Sequence, residues 1–173
     1  RFLITCIFKH LLFFLPKIYL FFKGFIIKLC AFKNFLCLYL TFLKFNSSFL
    51  FTTLLDIVVL DFNIKFLVHY LLRSVFFNTL LHVVVQTATP FNLYSIFNLY
   101  SNALWAEREC WDFFGLYFLN HLNLKRILTD YGFLYHPLLK TFPLIGITET
   151  FYSTYFMKLL NIKVSMELFK LNF

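Results

Sequence analysis

From residue 50 onward the apolar positions first recur at a period of two. Residues 54–60 are rich in Val, Ile and Leu and stop at Asp61, with Asn63 close behind as a turn signal. Residues 65–73 set Phe66, Val68, Tyr70 and Leu72 against Lys65, Leu67, His69, Leu71 and Arg73, the pattern of a half-buried strand. Residues 80–86 repeat it, with Leu81, Val83 and Val85 opposed to His82 and Gln86. Three such runs joined by short turns predict an antiparallel sheet. The period then lengthens. Asn92 is placed to cap a short helix reaching about Tyr100, and Ser101 starts a second over Ala103–Phe114, closed by Gly115. From 116 to 146 the pattern is irregular, punctuated by Asp130-Tyr131-Gly132, His136-Pro137 and Phe142-Pro143. A last β-rich run at 147–157 is a candidate further strand. The fold class is α+β, an antiparallel sheet with helices on one face.

Residues 1–49 read differently. Lysines interrupt the apolar sequence, and the longest uncharged run there, 34–43, has ten residues. A membrane-spanning helix needs about 20. On a helical wheel Lys17, Lys23, Lys28, Lys33 and Lys44 form no single polar stripe, which disfavours a simple interfacial helix. A targeting peptide would be richer in Arg and Ser than this segment. The expectation is helices covered by neighbouring subunits, with Pro16 separating the first from the second. The uncharged run 74–106 contains Asn78, His82, Gln86, Pro90 and Asn92, which argue against a membrane span. Three parts result: an apolar, basic, helical extension over 1–49, an α+β core over 50–115, and an extended partner-binding region over 116–173.

Charge sharpens that division. The first 55 residues carry seven basic groups and no acidic one, so +7 of the formal +8 lies in the first third. Composition changes the picture less. With 61% of the chain hydrophobic, a free-standing soluble monomer is the least expected class. The excess is mostly 28 Phe beside few Gly and Pro, as an AT-biased genome such as an organelle's produces.

Candidate chemistry is sparse. Glu107, Glu109 and Asp112 share a predicted helix, and 109 and 112 are neighbours on its surface, so a carboxylate pair for acid–base work is conceivable. The plainer reading is an ion-paired helix face meeting Arg126 or Lys125. Cys6, Cys30, Cys37 and Cys110 lack cluster spacing, and Cys110, His121 and His136 lack zinc-ligand spacing. The basic third lacks a recognised nucleic-acid module, so no nucleic-acid partner is expected.

From Ala106 to Gly115 (A-E-R-E-C-W-D-F-F-G), then 124–133 (L-K-R-I-L-T-D-Y-G-F), His136-Pro137 and 140–146 (K-T-F-P-L-I-G), the chain resembles a known family. It is the thirty-kilodalton subunit family of proton-pumping NADH:ubiquinone oxidoreductase, respiratory complex I. Glu107, Arg108, Glu109, Asp112, Gly115, Arg126, Asp130, Gly132, His136, Pro137, Lys140, Phe142, Pro143 and Gly146 fall on family positions. The resemblance covers about residues 50–170. Leu122 departs from the family's usual Pro, Leu139 from Arg and Thr141 from Asp.

The resemblance implies a core subunit of the quinone-reducing module of the peripheral arm, on the matrix side of the mitochondrial inner membrane. Enzyme activity would belong to the complex and not to a site in this chain. No cofactor is expected here, FMN and the iron–sulfur clusters belonging to other subunits. The implied partners are the forty-nine-kilodalton family protein that shapes the quinone cavity and nearby iron–sulfur subunits. Lineage-specific subunits are candidates at 1–49. The alternatives are a homologous component of a membrane-bound hydrogenase or photosynthetic complex I-like enzyme, and a membrane-anchoring structural protein.

Overall fold

The computed structural model describes residues 19–23, 26–88 and 92–164. Five strands form the main sheet: β1 (Tyr19–Lys23), β2 (Ile26–Ala31), β3 (Thr53–Asp61), β4 (Lys65–Ser74) and β5 (Thr79–Ala88). Their spatial order is β1-β2-β5-β4-β3. The three strands expected from the alternating pattern pair antiparallel, Val68 lying between Val59 and Val85. β2 joins the far side of β5 in parallel, which makes the sheet mixed.

Within residues 1–49, this part of the fold corrects the helical reading at Tyr19–Lys23 and Ile26–Ala31. The stretch Tyr19–Ala31 contributes two strands, and helix α1 begins only at Leu36 and runs to Phe45. β5 offers a free edge, and the β-branched start of β2 satisfies its backbone there more fully than a helix would. The sheet therefore runs across the division between residues 49 and 50. Pro16 lies outside the described residues.

One face of the sheet holds the core. Phe66, Val68, Tyr70 and Leu72 of β4 and Leu81, Val83 and Val85 of β5 are all buried, as the alternation requires. A register shift between Leu54 and Asp56 inserts an extra residue in β3, so that Leu54, Ile57 and Val59 all point inward. Both helices cover this face. α1 buries Leu36, Tyr39, Leu40 and Leu43, spaced three and four apart. α2 (Ala103–Phe114) buries Ala103, Glu107 and Cys110 against the sheet and ends at Gly115 in the left-handed conformation. Among the described residues no helix is long and apolar enough to cross a membrane.

The short helix expected from Asn92 is instead strand β6 (Asn92–Tyr94), parallel to β7 (Tyr117–Leu119). Just after it Glu107 accepts the Ile96 N–H, and the Tyr100 N–H donates to the Ile96 carbonyl in a single helical turn. The run at 147–157 is strand only as far as Ser153. β8 (Thr148–Ser153) turns back into β9 (Lys158–Lys163), a hairpin exposed on nearly every residue.

Two buried tyrosines separate packing from hydrogen bonding. Tyr100 donates its hydroxyl to the Phe51 carbonyl at 2.8 Å, tying the α2 approach to the α1–β3 connection. The Tyr70 hydroxyl, also buried, has no hydrogen-bond partner among the described residues. Tyr100→Phe is therefore expected to cost about 1 kcal/mol, whereas Tyr70→Phe is expected to be neutral or stabilising. Chemical denaturation of the full chain compares the two.

Candidate functional site

The site starts from a geometric fact about helix ends. After Gly115 the chain must leave α2, and the irregular stretch that follows has few backbone partners of its own. Asp112, fully buried in the last turn, supplies them. Its Oδ2 accepts the consecutive backbone N–H groups of Ile127, Leu128 and Thr129 at 3.2, 2.8 and 3.0 Å. Its Oδ1 accepts the Thr129 hydroxyl at 2.6 Å and the Arg126 guanidinium at 2.9 Å. Three N–H groups aimed at one carboxylate form an anion-binding nest, filled here from within the chain. Burial would raise the Asp112 carboxyl, but its Thr129, Leu128 and Ile127 hydrogen bonds outweigh burial and hold it well below the usual carboxylate range.

The same point gathers three more residues. Arg126 also donates to the Tyr135 carbonyl at 2.9 Å and lies over the Phe133 ring at 5.8 Å. His136 Nδ1 donates to the Asp112 carbonyl at 3.0 Å, its ring edge-on to Trp111 at 5.4 Å. The His136 ring also covers Gly115: a Cβ there would sit 2.8 Å from it, and φ is +71°. Gly115 is thus required twice, by backbone conformation and by close approach. Further on, Leu138 N–H donates to the Phe113 carbonyl and Lys140 N–H to Asp61 Oδ2 at 2.9 Å, fixing the strap to the end of β3. Phe142 packs with Phe133 and Tyr135, their ring centroids about 6 Å apart. Leu139, one of the expected departures from the family pattern, is partly buried against the core.

Glu107 lies apart from this clasp. It is fully buried and holds the loop after β6: Oε1 accepts Ile96 N–H at 2.8 Å, and Oε2 accepts the Ser95 hydroxyl. His121 Nε2 is 3.8 Å from Oε2 and 3.2 Å from the Leu104 carbonyl, while its Nδ1 accepts the Asn123 N–H at 3.1 Å. Burial pushes Glu107 up to about 7, despite the donors from Ile96 and Ser95.

The structure therefore brings together Asp112, Gly115, Arg126 and His136, with Arg108 beside them through its bond to the Lys125 carbonyl at 3.0 Å. It does not bring together Glu109 and Asp112 as an acid–base pair: Glu109 is exposed and Asp112 is buried. Asp130, Gly132, Pro143 and Gly146 shape turns outside the clasp, with Gly132 and Gly146 at positive φ. Pro137, between His136 and Leu138, follows the clasp directly. Thr129, Ser95 and Asp61 carry bonds that residue spacing does not announce. Of these only Thr129 stands inside a family motif. Cys110, His121 and His136 point to separate backbone carbonyls, and among the described residues no three His, Cys, Asp or Glu could hold a metal ion.

The two buried acids titrate in opposite senses. Asp112 contributes stability above its unfolded pKa, and that contribution is lost as pH falls toward its depressed folded value. Glu107 contributes stability below its ordinary value of 4.5, lost as pH rises to about 7. Asp112→Asn is expected to cost about 3 kcal/mol at pH 7, because it removes the charge and turns an amide donor toward other donors. Glu107→Gln is expected to flatten the fall in stability between pH 4.5 and about 7. Denaturant midpoints of the full chain across pH test both.

Residues 33–148 match the family described as "Respiratory-chain NADH dehydrogenase, 30 Kd subunit". The match begins before α1 and ends where β8 starts. The chain is 44% identical over 115 residues to the NADH-ubiquinone oxidoreductase 30.4 kDa subunit, mitochondrial, of Neurospora crassa, covering 65% of this chain and 41% of that one. Across the curated relatives it matches, the chain spans between 41% and 61% of their length. A chain of the archaeal membrane-bound sulfane sulfur reductase shares the fold at a TM-score of 0.72 and 21% identity, over 82% of this chain and 86% of that one. The trypsin-resistant fragment of Nqo5 shares it at 0.61 and 20%, over 70% of this chain and 99% of that one. The clasp residues lie inside the matched region, and the chain belongs to the respiratory-chain NADH dehydrogenase 30 kDa subunit family.

Proposed function

We propose that this chain serves as a core subunit of the quinone-reducing module of a proton-pumping NADH:ubiquinone oxidoreductase, on the matrix side of the mitochondrial inner membrane. It carries no cofactor and no catalytic residue of its own, and its work is to hold neighbouring subunits in register. FMN and the iron–sulfur clusters sit in other subunits.

The observation that carries this reading is the arm that the Asp112 clasp holds in place. Between Leu122 and Ile162 large apolar side chains stand in solvent, Tyr131 fully and Leu134, Tyr155 and Met157 at 80% or more. An isolated two-stranded hairpin is marginal by itself, and among the described residues β8 and β9 pair only with each other. Such an arm is stable when another protein covers it. The forty-nine-kilodalton family protein that shapes the quinone cavity is the proposed cover, with iron–sulfur subunits nearby.

Arg108 bridges the two parts, its guanidinium over the Trp105 ring at 5.0 Å and bonded to the Lys125 carbonyl. Arg108→Ala is expected to reduce the amount of assembled complex more than the turnover of complex that has assembled. Native gels with mass spectrometry of the bands, set against NADH:ubiquinone activity per assembled complex, test this. Normal amounts of complex with selectively lost quinone reduction would contradict the reading.

A further inference from the structure

The sheet has a second face, and neither helix covers it. Its residues follow from the register. Asp56, Leu71, His82 and Lys28 form one row across β3, β4, β5 and β2, and Val58, His69, Val84 and Cys30 form the next. Leu67, His69, Leu71, His82 and Val84 are all half-buried, and Val58 and Leu60 are about 40% exposed. A hollow of about 540 Å³ opens at one end, lined by Cys30, Phe32, Lys33, Leu67, Val84 and Gln86. This surface is too apolar to be a finished solvent face and too basic to be a finished core.

We propose that this face docks an acidic amphipathic helix from a neighbouring protein of the assembly, with one of its carboxylates seated against Lys28 and His82. The proposal rests on the functional reading above. Charge decides the class of occupant. Lys28 stands opposite His82, and Lys33, Lys65 and Arg73 stand around the rim, whereas Asp56 is the one acidic residue in these rows. Asp56 lies three strands from Lys28, about 14 Å away at ordinary strand spacing, too far to pair with it. Burial, then Lys28, lowers both His69 and His82, so Lys28 is the cation in the middle of the face, and no carboxylate pairs with it among the described residues. His69 Nε2 is buried without a hydrogen-bond partner among the described residues.

Two other occupants carry the wrong charge. Residues 1–18 of this chain bear Arg1, Lys9 and Lys17 and no acid, so they would add to the repulsion. A second copy stacked face to face would oppose like charges across an apolar interface. A helix with a carboxylate on its apolar margin answers Lys28, fills the hollow and completes a second helical layer about 10 Å above the sheet.

Carbodiimide treatment of the purified complex, which joins a lysine amine directly to a carboxylate in contact with it, tests the proposal. Mass spectrometry first establishes that the chain is in the complex, which decides the functional reading separately. The expected result is an amide between Lys28 and an Asp or Glu of another subunit, within a stretch of helical apolar spacing. Lys28 should also acetylate at least about tenfold more slowly than in the complex unfolded by guanidinium. Acetylation as fast as in the unfolded complex would overturn the proposal. So would a cross-link to Glu167 or another carboxylate of this chain, or to a phosphatidylserine headgroup. Slow acetylation without any cross-link would show a cover that is not acidic, and would overturn it equally.

Discussion

Five donors converge on the carboxylate of Asp112, and the organisation of everything after α2 depends on that convergence. An irregular stretch of some 25 residues cannot satisfy its own backbone, and in an isolated domain it would fray. Here one buried side chain takes three successive N–H groups, a hydroxyl and a guanidinium. The guanidinium then reaches the Tyr135 carbonyl, and His136 returns to the helix end over the bare Cα of Gly115. Residues scattered over two dozen positions thus form a single hydrogen-bonded unit.

The two buried carboxylates of α2 show how environment divides one residue class into two roles. Asp112 is ringed by donors that favour its ionised form, and it is a fixed negative charge at neutral pH. Glu107 is desolvated and has only two donors, so burial wins and it holds its proton up to about pH 7. Both are anchors. Asp112 fastens the arm, and Glu107 fastens the loop that leads from β6 into α2.

The apolar load of the chain divides along the same lines. The first sheet face and the helices bury the alternating residues that a core needs. The arm, the β8–β9 hairpin and the second sheet face expose what remains, and each is a surface that an assembly can close. Apolar surface of this extent is more readily carried by a chain that shares it with a partner than by one that leaves it in solvent.

The alternation of Phe66, Val68, Tyr70 and Leu72, and of Leu81, Val83 and Val85, is enough to set three strands and their inward face, because a period of two has one meaning on a pleated surface. Helix α2 and its glycine stop are legible for the same local reason. The motif around Glu107, Arg126 and His136 is legible as a family pattern, but not as a unit. Nothing in spacing says that residue 112 meets residues 127 to 129, or that 109 turns outward. The parallel seat of β2 beside β5, the strand at Asn92 and the bulge in β3 are decided by long-range partners: a free sheet edge, a strand beyond α2 and a register that must bring Leu54 inward. Local sequence determined which segments could be strand or helix. Tertiary structure decided which neighbour each would satisfy, since a backbone group or buried charge takes its partner from whatever the fold brings within about 3 Å.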